Sequence, residues 1–211
     1  EAEQWVGESH DIIASEDCVP AGFAVNPNIA CVLPFMCHED EETALERGID
    51  GAHFFGYSLG HFYGFGDHRP GTTDIWAEFQ ENRSAFGFDR ETASQTAVSL
   101  RARMEGDGLL SLRGAIGTPD QIRQLLREYE AAGIDQVIFV SQAGRNRHEH
   151  ICESMELFAR EVMGEFAERD PAHVAARDER LAGSVAAALA RRDGPRQVDP
   201  GYRIPPPIAQ A

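Results

Sequence analysis

The sequence predicts an α/β fold, because a strand–helix–strand unit can be traced in its second half. The apolar segment Leu109–Ile116 precedes a helical pattern that opens with Thr118 and Pro119. Threonine is a favourable helix cap, and proline is tolerated at the first helical position, where its missing N–H costs nothing. The segment Gln136–Ser141 follows and is largely apolar without alternation, which is typical of a strand buried on both faces of a parallel sheet. Two such strands and their connecting helix form a βαβ unit.

Four elements are predicted before this unit. A helix covers Glu1–Ile13, and the loop Asp17–Asn28 is rich in proline, glycine and asparagine. Ile29–Met36 is apolar and predicts a further strand. His38–Gly48 predicts a helix, because its four consecutive acidic residues are stabilised at the positive end of a helix dipole.

The remaining segments are predominantly helical in pattern. Ala52–Gly66 differs from them, since its aromatic residues alternate with glycines. Further helices are predicted in Ile75–Phe86 and Arg90–Gly106. Near the end, Val174–Arg192 predicts an exposed amphipathic helix, and Asp193–Ala211 predicts a proline-rich tail without a core of its own.

Composition restricts the class of protein. The 211 residues are enough for one ordinary domain with a sizeable core. The net charge of -16, from 19 basic and 35 acidic residues, argues against a nucleic-acid or anionic-membrane partner. No apolar run is long enough to cross a bilayer, and the first residues form no secretory signal. We therefore expect a soluble cytoplasmic protein.

The cysteines predict neither disulfides nor a metal site. They match no C-x-x-C pair and no small disulfide framework, so we expect reduced and mostly buried thiols at Cys18, Cys31, Cys37 and Cys152. The Cys37–His38 pair stands beside hard carboxylates, a mixture that fits no common structural site. His148 and His150 are two positions apart and would point to different faces of a helix.

Leu112–Phe166 resembles the C-terminal end of the luciferase-like flavin-dependent monooxygenases. The resemblance depends on a combination of three motifs. They are Gly117-Thr118-Pro119 at the start of a helix, Ala132–Asp135 before a strand, and Ser154–Phe158 leading to Val162-Met163. Ile29–Gly48 is similar to the region of the sixth strand in that family.

The resemblance implies the C-terminal part of a (β/α)8 barrel, with extra helices and a disordered or helical tail. Residues 1–169 would form the partial barrel with the region of strands six to eight, and residues 170–211 a charged helix and tail. The implied cofactor is reduced FMN or a deazaflavin, which acts on an organic small molecule. The first four or five strands have no counterpart here, and the chain does not begin with methionine. We therefore expect a fragment or processed piece that forms a homodimer or binds a chain supplying those strands.

The loop after the last strand is the first candidate site. Active sites of barrels lie at the C-terminal ends of their strands, and helix N-termini attract anions. Arg145 and Arg147 are therefore candidates to bind a cofactor phosphate or a carboxylate, with Gly144 permitting close approach and Thr118 adding a polar contact. The alternative is a solvated basic loop, in which Gly144 serves the turn and Thr118 only caps its helix.

The aromatic and glycine-rich segment is the second candidate site. His61, Phe62, Phe65 and His68 could line an apolar substrate pocket, in which a histidine acts as general acid or base. The same residues could instead form packed core or a dimer surface.

Two functions follow from these patterns. The first is a flavin-dependent oxidoreductase, of which this chain is the C-terminal half; no side chain is assigned as its catalyst. The second is a non-catalytic half-barrel that assembles with itself or with another chain, because unpaired sheet edges favour association. Hydrolase and kinase functions lack a supporting motif in the sequence.

Overall fold

The computed structural model describes residues 2–88, 113–192, 194 and 199–203. Over these residues the protein has a small parallel sheet of three strands with helices packed against it, which confirms the predicted α/β class. The strands are β1 (Ala30–Cys37), β2 (Ala115–Gly117) and β3 (Gln136–Val140). The helices are α1 (Ala2–Ala14), α2 (Glu41–Gly60), α3 (Ile75–Asn82), α4 (Pro119–Ala131), α5 (His148–Phe158) and α6 (Gly164–Ala190). Two π-helical segments, His61–Phe65 and Ala159–Met163, continue α2 and join α5 to α6.

Strand β1 is the centre of the sheet, in the order β2-β1-β3. Its N-terminal half pairs with β3, from Ala30 opposite Gln136, and its C-terminal half pairs with β2, from Phe35 opposite Ala115. Consecutive strands of a barrel pair with each other, whereas here β3 pairs with β1 and not with β2 in the described residues. The predicted strands match within one residue at β1 and β3.

The expectation that β3 is buried on both faces is wrong. Ile138 is 45% exposed, and its partner Val32 on β1 is 49% exposed on the same face of the sheet. The strand lies at the edge of the described sheet, so a continuous apolar run here does not indicate burial on both sides. This part of the chain therefore carries an apolar sheet surface in contact with solvent.

The C-terminal half of β1 is covered on both faces. Phe35 and Cys37 pack in one cluster with Ile122 of α4 and Leu157 of α5. On the opposite face, Met36 packs in a second cluster with side chains of α2 and of α5, which are Ala44, Ile49, Ala52 and Ile151. Helix α5 therefore contributes to both clusters and packs against the C-terminal half of the central strand.

A third cluster joins α2 to α3. Residues 52–65 are helical, because α2 runs to Gly60 and the π-helical segment continues it to Phe65. The buried residues of this cluster are Tyr57, Phe79 and Phe88, with Phe54 and Trp76 packed against them. The aromatic residues of the segment are therefore divided, because Tyr57 belongs to the core whereas Phe62, Tyr63 and Phe65 are exposed.

Helix α6 runs without a break across residue 169, so the segment predicted as a separate charged helix continues the helix that follows the sheet. It packs against α1 and buries Leu181 and Ala188. No helix in the described parts of the chain has the length and apolar character needed to cross a bilayer. The helix predicted in Arg90–Gly106 and the first residues of the strand predicted in Leu109–Ile116 lie outside the described residues.

The cysteines are free in the described chain, and Cys37 is the buried one. The expectation of mostly buried thiols is wrong, because Cys18, Cys31 and Cys152 are partly exposed. Burial raises the pKa of the Cys37 thiol to about 11.

Candidate functional site

The loop after β3 is held tightly against α2 and α3. Gly144 has a φ of +64°, and a Cβ atom there would lie 2.8 Å from the ring of Trp76 and 3.2 Å from the Cα of Gly51. Left-handed backbone and close approach both favour glycine at this position. Asn146 donates from Nδ2 to the carbonyl oxygen of Ser141 over 2.9 Å and lies against Gly51. The turn is therefore fixed by packing as well as by hydrogen bonding.

The two arginines of this loop have different environments. The guanidinium of Arg145 lies over the indole of Trp76, with 5.2 Å from Cζ to the ring centroid, which is a cation–π contact. Arg147 is the N-cap residue of α5 and makes no capping hydrogen bond through its side chain. Its Nε lies 3.7 Å from the carboxylate of Glu149, and both side chains are exposed.

The N-terminus of α5 already stabilises a negative charge. The pKa of Glu149 is lowered, chiefly by a hydrogen bond from its own backbone N–H and further by the charge of Arg147. This agrees with the preference of helix N-termini for anions. His148 lies in the same turn, where its Nε2 is 3.6 Å from the sulfur of Cys152.

Thr118 does not belong to this loop. It caps α4 in a reciprocal capping box, in which its N–H donates to Gln121 Oε1 over 2.9 Å and its hydroxyl accepts from the Gln121 N–H. Thr118 lines a polar cleft of about 420 Å³ with Glu39, Asp120, Arg123 and Glu161. None of Gly144, Arg145 and Arg147 lines that cleft. Thr118 therefore caps its helix, as the alternative interpretation predicted, and does not share a site with these three residues.

The second candidate site contains a hydrogen-bonded group of three residues. Glu78 of α3 accepts from the hydroxyl of Tyr57 over 2.5 Å and lies 3.0 Å from Nδ1 of His61, both through Oε1. These two hydrogen bonds lower the pKa of Glu78, with Tyr57 the larger cause. Burial is the larger cause of the raised pKa of Tyr57, and the bond to Glu78 raises it further. The pair His61–Glu78 is therefore a carboxylate–imidazole pair with a defined orientation.

The four predicted pocket residues do come together. The imidazole of His61 has ring-centroid distances of 5.3 Å to Phe62, 6.2 Å to Phe65 and 5.6 Å to His68. The rings of Phe62 and His68 are 5.0 Å apart. His61 is buried and the other three are exposed, so the group spans from core to surface. We call these four residues and Glu78 the histidine–aromatic cluster.

Helix α3 connects the two candidate sites. Trp76 contacts Arg145 of the loop, and Glu78, two residues later, contacts His61 of the cluster. Phe79 of the same helix packs against both Trp76 and Tyr57. One short helix therefore positions the basic loop and the carboxylate–imidazole pair in one packed unit.

An apolar groove runs beside β3, and the sequence patterns do not predict it. Two adjoining cavities of about 520 and 580 Å³ share Phe139, Phe158 and Met163 among their lining residues. The second cavity reaches Ser141 and Gln142, where the basic loop begins. The groove thus extends along the edge of β3 to the basic loop.

Sequence patterns miss Trp76, Glu78, Tyr57 and Asn146. The first two are isolated residues of a short helix, far in sequence from the side chains they contact, so no spacing marks them. Asn146 lies within the predicted loop, and its place two residues after Gly144 was the signal that could have identified it.

Comparison of the chain with protein-family models, with curated proteins and with solved structures finds no match to any of them.

Proposed function

We propose that this chain is the C-terminal part of a flavin-dependent oxidoreductase of the luciferase-like class, in which the loop after β3 binds the cofactor phosphate. One observation carries the proposal: Arg145, Arg147 and the N-terminus of α5 lie at the C-terminal end of β3. Ligands of parallel α/β sheets bind outside the carboxyl ends of the strands. Guanidinium groups bind phosphate with two parallel hydrogen bonds.

An anionic group fits the chemistry of this loop. The Glu149 carboxylate, with its lowered pKa, occupies the position that favours negative charge. A phosphate of reduced FMN or of a deazaflavin would replace this carboxylate, held by Arg147 and by the first N–H groups of α5. Arg145 adds a second positive charge, and its contact with Trp76 limits its movement.

The bound flavin would supply the redox chemistry toward an organic substrate. The residues of this chain would bind the phosphate, orient the cofactor and exclude water. The histidine–aromatic cluster is the proposed substrate side, because α3 joins it to the loop. Partners in this proposal are a small organic molecule and a second copy or another chain that supplies further strands.

The test is a titration of the purified chain with FMN and with a deazaflavin, oxidised and reduced, followed by absorbance and fluorescence. Changing Arg145 and Arg147 to alanine should weaken flavin binding at least tenfold, with a thermal midpoint within a few degrees of the unmodified chain. A matched control changes Arg160 and Arg203 to alanine, since both lie outside the loop and the same charge is removed. The proposal fails if no flavin binds, or if both double variants bind it equally.

A second candidate function, a half-barrel that assembles without catalysis, is favoured by the edge of β3. Residues 136–140 contain no charge and no proline, which are the features that usually protect an edge strand. Val32 and Ile138 add an exposed apolar face beside it. Replacing Ile138 with lysine should convert an assembled chain to monomer in a solution-mass measurement, whereas replacing the exposed Tyr63 with lysine should not.

A further inference from the structure

We propose that the Glu78–His61 pair is the proton acceptor of a binding site for a flat aromatic molecule with an acidic O–H group, such as a phenol. This inference rests on the proposed function only in making that molecule the substrate of the oxidoreductase. Binding and proton transfer depend on the histidine–aromatic cluster itself.

The position of the proton on His61 follows from its partner. Glu78 with its lowered pKa is ionised at neutral pH, and an ionised carboxylate can only accept hydrogen bonds. The 3.0 Å contact therefore places the proton of a neutral His61 on Nδ1. The second nitrogen, Nε2, then carries a lone pair and can accept a proton.

This acceptor has no hydrogen-bond partner in the described part of the chain. His61 is 1% exposed, and Nε2 is buried without such a partner. Buried polar atoms in folded proteins almost always have one. The unpartnered nitrogen lies in a π-helical segment, and such segments occur frequently at functional sites. We therefore infer that a ligand supplies the missing donor.

The surroundings of His61 select the class of ligand. Phe62, Phe65 and His68 present their rings around the imidazole, and all three extend to the surface. Aromatic rings pack well against flat aromatic molecules. The Glu78 carboxylate and the acidic chain disfavour the entry of an anion, so the ligand enters as a neutral hydroxyl and gains its negative charge only as the imidazole beside it becomes positive.

Proton transfer at this site conserves both atoms and charge. The O–H bond of the ligand breaks, an N–H bond forms at Nε2, and the ligand becomes a phenolate. The imidazolium is paired with the Glu78 carboxylate, which stabilises its positive charge.

The test uses the flavin-free chain labelled with ¹⁵N in histidine, with 4-nitrophenol as the probe and 4-nitroanisole as the matched ligand without the O–H group. We expect saturable binding of 4-nitrophenol, a shift of the His61 Nε2 resonance and a rise in phenolate absorbance. Binding of 4-nitroanisole should be at least tenfold weaker. Glu78→Gln should lower the phenolate fraction of bound probe at least threefold, and Tyr63→Ala in the same π-helical segment should leave it unchanged.

Several results would overturn the proposal. These are equal binding of the two ligands, no binding of 4-nitrophenol, or a His61 Nε2 resonance that shifts with neither. The last result would indicate that an internal water, and not a ligand, donates a hydrogen bond to Nε2 of His61. Both ligands are compared on the unmodified chain, so the outcome does not depend on the folding of a variant. The flavin titration is a separate experiment, so failure of the cofactor loop and failure of this site are distinguishable.

Discussion

Ser154 of α5 accepts a hydrogen bond through Oγ from the backbone N–H of Cys37, over a nitrogen–oxygen distance of 2.6 Å. Both residues are buried, and Cys37 is the last residue of the central strand. The next N–H along the chain, that of His38, donates to the carbonyl oxygen of Gly117. The end of β1 is thus fixed between β2 and α5.

Replacing Ser154 with alanine should lower the free energy of unfolding by about 1–3 kcal/mol, because the Cys37 N–H loses its partner while it stays buried. Urea denaturation measures the change. Ser15→Ala is the control, since the Ser15 hydroxyl donates to the Ile12 carbonyl at an exposed helix end. Its effect should stay within about 0.5 kcal/mol. Equal effects of the two substitutions would contradict the assignment.

Gly144→Ala should destabilise the protein through two separable terms. The left-handed backbone costs about 1–2 kcal/mol for a residue with a Cβ. Contact with Trp76 and Gly51 adds a further cost. Gly71→Ala isolates the first term, because Gly71 has a φ of +74° and nothing within 4 Å of the added carbon. Denaturation curves should show the larger loss for Gly144→Ala, and a loss no larger than that of Gly71→Ala would refute this packing.

Asp135 joins three elements and should be sensitive to substitution. Its side chain is 2% exposed and accepts from the N–H of Ile29 over 2.8 Å. Arg177 Nη1 and His173 Nε2 of α6 lie 2.9 and 3.2 Å from Oδ1. Removing one charge of a buried pair is strongly destabilising, so Asp135→Asn should cost about 3 kcal/mol or more.

Asp178→Asn is the matched control for that experiment. Asp178 also binds Arg177, but its side chain is 57% exposed. Exposed ion pairs contribute about 0–1 kcal/mol, so this variant should unfold near the midpoint of the unmodified chain. A larger loss of unfolding free energy for Asp178→Asn than for Asp135→Asn would contradict the structural role assigned to Asp135.

Glu165 should make stability depend on acid pH. Hydrogen bonds from Arg127 and Arg169 lower the pKa of its carboxyl to about 2. A lowered pKa in the folded state contributes stability above the ordinary value near 4.5. That contribution is lost progressively as the pH falls from there toward 2.

Chemical denaturation at a series of pH values tests this dependence. Glu165→Gln should flatten the fall in unfolding free energy between about pH 5 and 2, because it removes the titrating group. Added salt should reduce the difference between the two chains, since the site is near the surface. Glu168→Gln, an exposed position on the same helix, should leave the fall unchanged. An equal slope in all three chains would show that Glu165 does not set it.

Local signals in the sequence predict the elements well. Thr118 and Pro119 predict the start of α4, and the structure has the cap, the proline and the reciprocal bond with Gln121. The parallel α/β class also follows from apolar runs separated by a capped helix. The burial of β3 does not follow, because an apolar run is the same at the edge of a sheet as at its centre. Exposure depends on whether another strand lies beside it.

The same distinction between local signals and tertiary contacts applies to the candidate sites. By itself the sequence determined the α/β class, the helix starts and a glycine-containing basic loop after β3, since capping, hydrophobic pattern and backbone freedom act between neighbouring residues. Only the tertiary structure decided that Arg145 stacks on Trp76, that Glu78 orients His61 and that Thr118 is separate from the loop arginines. The first two contacts join residues that are 69 and 17 positions apart in the sequence. Packing of α3 against α2 and the loop is the physical reason, because it places side chains together that no local pattern connects.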